Sequence, residues 1–230
     1  MRYEAAWIVT IRSNDQRFSA MCSLQSFIHE LSFRDLPLKV RHQAKRCLLD
    51  TLGVAIAGRA TELSKCIHEF SALTFQGRGA HLWFDGREVS PPGAALAKGM
   101  SIDAFDAHDG QVLAKGHAGA AVVPSCLALL NAGQRPCSGR ELVFLIVVGY
   151  EVALRAGITL HATARDYHTS GAWNALGAAA LGSRRLGLND EQTRHALGIA
   201  EYLAPRSQMM RCIAHPTMLK DGSGWGAMAA

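Results

Sequence analysis

Small apolar residues recurring at helical spacing constrain this chain more than any other feature. Val40, Ala44, Cys47, Leu48, Thr51, Leu52 and Ala55 follow one another at intervals of three and four, from just after Pro37 to Gly58. That period places them on one stripe of an α-helix. Similar patterns run over about 62–76, 91–102, 120–132, 138–160, 170–186 and 189–203, and a Gly/Ala-rich stretch begins after Lys220. Two starts carry local signatures. Ser138-Gly-Arg-Glu141 has the spacing of a capping box, hydroxyl and carboxylate each placed to satisfy a free amide, and Asn189-Asp-Glu-Gln192 caps the next helix. Only His81–Ser90 breaks the rule: two short strand-like runs flank Asp85-Gly86 and predict a hairpin turning there. About eight helices with one hairpin make an all-α fold, because the strands are too few for an α/β sheet.

The 230 residues suffice for a large core, yet only 7% are aromatic while 22 are glycine. Gly149, Gly157, Gly177, Gly182 and Gly198 fall inside helical stretches, where each costs about 1 kcal/mol against alanine. Close approach of helices at these positions would account for them. Residues 1–20 lack a period and read as a leader or tail, leaving 21–230 as one helical domain. The strongest apolar run, Leu142–Tyr150, is too short for a bilayer span and is bounded by charge. The net charge of +5 is scattered, with no basic arm for nucleic acid, and suits a site that attracts acidic small molecules. Six cysteines without a C-x-x-C pair point to a reducing, cytoplasmic setting.

Three polar stretches stand out against this background. Asp103-Ala-Phe-Asp106-Ala-His108-Asp109-Gly110, with Lys115 and His117 close behind, gathers carboxylates, imidazoles and an ammonium. Crowded carboxylates raise one another's proton affinity, and an adjacent imidazole exchanges protons near neutral pH. A solvated helix-capping loop, an active-site loop and a metal site all fit this composition. The metal reading is the weakest, because the spacing of Asp106, His108, Asp109 and His117 matches no defined ligand motif and no cysteine is near. The second stretch, Arg165–Gly171, sets His168 beside a helix start, with Ser170 or Thr169 as an N-cap. The third runs from Pro205 through His215 to Gly226 and holds Arg206, Arg211 and Lys220, cations that could clamp carboxylates, or is a surface loop with a Lys–Asp neighbour pair.

From about Leu36 to Ala230 the chain resembles the MmgE/PrpD family. The resemblance rests on ordered pieces: Leu48-Leu-Asp50-Thr-Leu-Gly53, Gly93-Ala-Ala-Leu-Ala-Lys-Gly99, Ala104-Phe-Asp106-Ala-His-Asp109, His117-Ala-Gly-Ala-Ala-Val-Val-Pro124, Gly149-Tyr-Glu-Val152, His168-Thr-Ser-Gly171, Leu186-Gly-Leu188 and Ala196-Leu-Gly-Ile-Ala200. It implies a helical domain with a smaller α+β lid, a cleft between them, a homodimer, and small di- or tricarboxylate substrates without metal or organic cofactor. The implied chemistry is lyase-type, by proton abstraction next to a carboxylate, or epimerisation. The family's site positions fall on Asp106, His117, His168 and Lys220, with His108, Asp109, Arg206 and Arg211 as expected substrate contacts. Departures are visible: the family's D-F-D-D-T reads Asp106-Ala-His108-Asp109-Gly110, and neither His117 nor His168 is followed by proline. Family members are about twice as long, so the lid is expected beyond Ala230. The alternative reading is a truncated, inactive helical domain serving only in oligomerisation or interaction.

Overall fold

The structure, a computed structural model, describes residues 23–133, 135–214 and 220–230. The expected leader and His215–Leu219 of the third polar stretch lie outside the described residues. Ten helices and one two-stranded hairpin make up the fold among the described residues. They are α1 (Leu24–Glu30), α2 (Leu38–Gly58), α3 (Glu62–Thr74), β1 (Ala80–His81), β2 (Glu88–Val89), α4 (Pro91–Phe105), α5 (Gly119–Ala132), α6 (Gly139–Thr163), α7 (Gly171–Leu186), α8 (Asp190–Leu203), α9 (Arg211–Ala214) and α10 (Ser223–Ala229). The all-α class stands, with α1 and the single turn α9 added to the helices that periodicity predicts.

Local signals set several ends. Asn189 accepts from the Gln192 amide at 2.9 Å while the Gln192 side chain takes the Asn189 amide at 3.0 Å, a complete capping box. At α6 only half of the expected box forms. Ser138 Oγ accepts from the Glu141 amide at 3.2 Å, but the Glu141 carboxylate turns to Arg185 at 2.8 Å and Arg135 at 2.5 Å. Charged guanidinium donors outcompete a lone backbone amide for a carboxylate. The hairpin also departs from its expected two-residue turn: Ala80 pairs with Val89 and His81 with Glu88, and Leu82–Arg87 form a longer connection. The Asp85 carboxylate explains this, since it is drawn to His68 on α3 at 2.9 Å and to Arg87 at 2.9 Å.

The core is centred on α6 and α7. Phe144, Tyr150 and Leu154 of α6 and Trp173 and Leu181 of α7 are buried in one cluster. The two helices touch at Gly149 and Gly177. A Cβ on Gly177 would overlap the Gly149 carbonyl oxygen and sit 2.6 Å from Ala153 Cβ. One on Gly157 would meet the Trp173 ring at 2.8 Å. Close approach therefore accounts for three of the five helical glycines. It does not account for Gly182, whose nearest neighbour would be Leu129 at 3.9 Å, or for Gly198, which faces open space. The apolar run of α6 continues past Glu151, so the helix as a whole is long and apolar enough to cross a bilayer by length and composition. Its most apolar stretch is 72% buried within the protein instead.

Candidate active site

Helix α4 ends where Asp106 takes the left-handed conformation (φ 52°), turning the chain away from the helix axis. The following loop folds on itself, with the Gln111 amide donating to the Gly116 carbonyl at 3.0 Å and Lys115 also left-handed (φ 52°). It delivers His117 two residues ahead of the first residue of α5. Gly119 is required here: a Cβ would lie 2.5 Å from Asp109 Oδ1 and 2.6 Å from Thr51 Oγ1.

Two imidazoles face each other across this loop. The rings of His108 and His117 are 4.0 Å apart between centroids and tilted by 41°. His117 Nδ1 is 2.7 Å from the carbonyl oxygen of Asp109. A carbonyl only accepts, so Nδ1 carries the proton and Nε2 keeps the lone pair. The backbone of His117 is also held: Asn174 donates to its carbonyl at 2.8 Å, and its amide donates to Ser170 Oγ at 3.4 Å. Beneath it, Tyr150 donates to Asp109 Oδ1 at 3.3 Å, and the Asp109 amide donates to Asp50 on α2 at 2.9 Å. A cavity of about 750 Å³ opens beside these groups, lined among others by Asp50, His108, Asp109, Lys115, His117 and Tyr167. Tyr167 closes one side by donating to the Lys115 carbonyl at 2.7 Å.

Burial sets the charges. Asp103 is buried, which pushes its carboxyl well above the usual range, helped by the charge of Asp221. Burial likewise raises Asp109 to about 6 and lowers His108. His108 Nε2 lies 3.4 Å from Asp103 Oδ1, close enough to count as an ion pair by distance. Burial works against the charge on both partners, and no hydrogen bond joins them.

Asp106, His108 and His117 come together, with one donor atom from each inside 4.8 Å of the others, and Asp109 supports them. His168 and Lys220 do not line the cavity. His168 sits ahead of α7 with Nδ1 donating to the Asp166 carbonyl at 2.7 Å, and Lys220 is exposed. Their neighbours make the connection. Asp221 accepts from the Ser170 amide at 2.8 Å and from the Thr169 hydroxyl, joining the third polar stretch to the second, and Ser170 contacts His117 of the first. Asp221, rather than the side chain of Thr169 or Ser170, thereby caps α7. Arg206 lies elsewhere, paired with Glu201 at 2.9 Å beside a separate groove of about 410 Å³ that includes Leu24, Val152 and Trp173. Arg211 is exposed at the start of α9.

Asp50, Asn174, Tyr150, Tyr167 and Asp221 join the site without being among the residues expected there. Asp50 carried a signal, being a carboxylate inside a quoted motif, and Asp221 stood next to Lys220. Tyr150 also lies in one of the family-like pieces, whereas Asn174 carries no signal, because it reaches the site from the middle of an apolar helix.

Residues 23–230 match the family model of the MmgE/PrpD N-terminal domain. A cis-aconitate decarboxylase-like protein of Aspergillus oryzae (strain ATCC 42149 / RIB 40) is 26% identical over 204 residues, covering 84% of this chain and 42% of that protein. The cis-aconitate decarboxylase of Homo sapiens is 33% identical over 187 residues, covering 77% and 38%. That of Mus musculus is 32% identical over 189 residues, with the same coverage of 77% and 38%. The chain spans about two fifths of the length of these curated relatives. With its helical bundle and its match over residues 23–230, the chain belongs to the MmgE/PrpD family.

Proposed function

We propose that this domain contributes the helical half of a lyase-type site that removes a proton next to a carboxylate on a small di- or tricarboxylate. The observation that carries the reading is the fixed tautomer of His117. Its Nδ1–H is committed to the Asp109 carbonyl at 2.7 Å, so Nε2 is a lone-pair base on a residue lining the cavity. In this scheme Nε2 takes the proton, and the electron pair spreads into the neighbouring carboxylate. Lys115 at the cavity, and Lys220 next to Asp221 in sequence, neutralise that growing charge. Asp106 or a second imidazole, His108 or His168, returns a proton to the departing group or the product carbon. The relatives' names support a tricarboxylate such as cis-aconitate, although the departures at positions 108 and 110 leave the choice among small polycarboxylates to be made by assay.

The working form in this proposal is a homodimer in a reducing, cytoplasmic setting. Exposed Val112 and Leu113 on the cavity loop support association, and the cysteines at 47, 66, 126, 137 and 212 are all free thiols. The test follows hydrogen–deuterium exchange next to the carboxylates of cis-aconitate, citrate and smaller dicarboxylates by NMR, together with product formation. His117→Gln should slow exchange by about 10²- to 10⁴-fold, the usual contribution of a positioned base. Exchange by the variant at the wild-type rate, or none by the wild type with any of these acids, would overturn the proposal.

A further inference from the structure

The arrangement at position 108 has no counterpart in the expected family chemistry. Where the family pattern has a carboxylate, this chain has His108, and the substitution creates a stacked pair of imidazoles beside Asp106. We propose that Asp106, His108 and His117 form a binding site for a first-row divalent cation, with Zn²⁺ as its probe.

Three observations carry this. First, one donor atom from each residue lies within 4.8 Å of the other two. Donors around a tetrahedral zinc, at bonds of 2.0–2.1 Å, sit about 3.3 Å apart, so closure needs at most ~1.5 Å of side-chain rotation. Second, the His108 side chain is 1% exposed, and neither ring nitrogen makes a hydrogen bond among the described residues. A buried imidazole without partners is costly, and an ion bound to one nitrogen removes much of that cost. If the ion takes Nδ1, Nε2 is left 3.4 Å from Asp103 Oδ1, where a small ring rotation would let the carboxyl orient the metal-bound imidazole. Third, His117 is already set as such a ligand. Its Nδ1–H is tied to the Asp109 carbonyl, which leaves Nε2 as the coordinating atom.

Two imidazole nitrogens and one carboxylate suit Zn²⁺, Co²⁺, Ni²⁺ or Fe²⁺ and disfavour Mg²⁺ and Ca²⁺, which prefer all-oxygen shells. The remaining coordination positions are available to water or a ligand carboxylate from the cavity. Occupancy would also remove the lone pair of His117 from use as a base, so a bound ion would silence turnover. That consequence rests on the lyase reading; the binding does not.

The experiment titrates Zn²⁺ into the chelator-treated full chain by calorimetry and follows Co²⁺ by its visible d–d absorption. One equivalent should bind with tetrahedral-type cobalt bands that Zn²⁺ bleaches. His108→Gln, His117→Gln and Asp106→Asn should each weaken binding by about tenfold or more. His81→Gln and His195→Gln, at exposed positions, should leave it unchanged. Unfolding curves check that the variants fold. If they do not, imidazole ¹⁵N spectra of the wild type decide: of its ten histidines, His108 and His117 should shift together with the first equivalent. Binding that survives loss of both His108 and His117, shifts confined to other histidines, or no binding below millimolar Zn²⁺ would overturn the site. Each of these readouts is independent of turnover, so its failure leaves the lyase reading standing, and the exchange assay can fail without touching it.

Discussion

Replacing Lys98 by methionine should stabilise this protein, and by an amount that depends on pH in a defined direction. Lys98 lies on α4 with 1% of its surface exposed, its ammonium 5.5 Å from the centroid of the Trp83 ring. No carboxylate pairs with it among the described residues, and burial lowers it from 10.5 to about 8. A drop of that size corresponds to about 3 kcal/mol of disfavoured charge in the folded state. The sign follows from proton counts. Between pH 8 and 10.5 the unfolded chain holds the Lys98 proton while the folded chain has released it, so stability from this group rises with pH. Below pH 8 the full penalty is present; above 10.5 it is gone. Lys98→Met, of similar length and shape, should therefore gain up to about 3 kcal/mol at pH 7. The gain should shrink toward zero as pH passes 10. Urea unfolding of both proteins at pH 7, 9 and 10.5 measures this, and ionisation of the buried thiols and tyrosine cancels in the difference. A gain that is the same at all three pH values would mean packing rather than charge. A loss at pH 7 would mean that the ammonium is held by an attraction larger than its desolvation.

Two further substitutions test the packing and the cap. Gly177→Ala should cost about 1–3 kcal/mol, because its Cβ would press on the Gly149 carbonyl, whereas Gly198→Ala, facing open space on α8, should gain about 1 kcal/mol. Both are read from urea midpoints. Asp221→Ala strips an acceptor from the Thr169 hydroxyl and from the Ser170 amide, while the Gly222 amide keeps Thr169 Oγ1, and should cost about 1–3 kcal/mol. Hydrogen exchange should show lost protection in the first turn of α7 before the rest of the helix.

What could be read from the chain divides by sequence distance. Asn189 and Gln192 cap each other three residues apart, so the start of α8 was legible. The Glu141 carboxylate leaves its box for two guanidinium groups, and of these Arg185 comes from the far end of α7, out of reach of any local reading. The same rule holds at the candidate site. Asp106, His108, Asp109 and His117 are crowded within one loop, and their proximity is visible as composition. The acceptor that caps α7 arrives from 51 residues away, and the Asn174 side chain reaches the His117 carbonyl from 57. Tyr150 looked like one more apolar member of α6. Only packing shows that its hydroxyl reaches Asp109. Arg206 shows the opposite error: a cation near polar residues in sequence faces a different groove in space.

The burial of α6 has a consequence for the life of the chain before it is folded. The helix that organises the core is also the segment that an empty bilayer or a chaperone cleft would grip most firmly. It emerges from synthesis ahead of α7, the neighbour that covers it. Variants that slow the docking of α7 should therefore show themselves first as aggregation or membrane capture of nascent chains, before any loss in the finished protein can be measured.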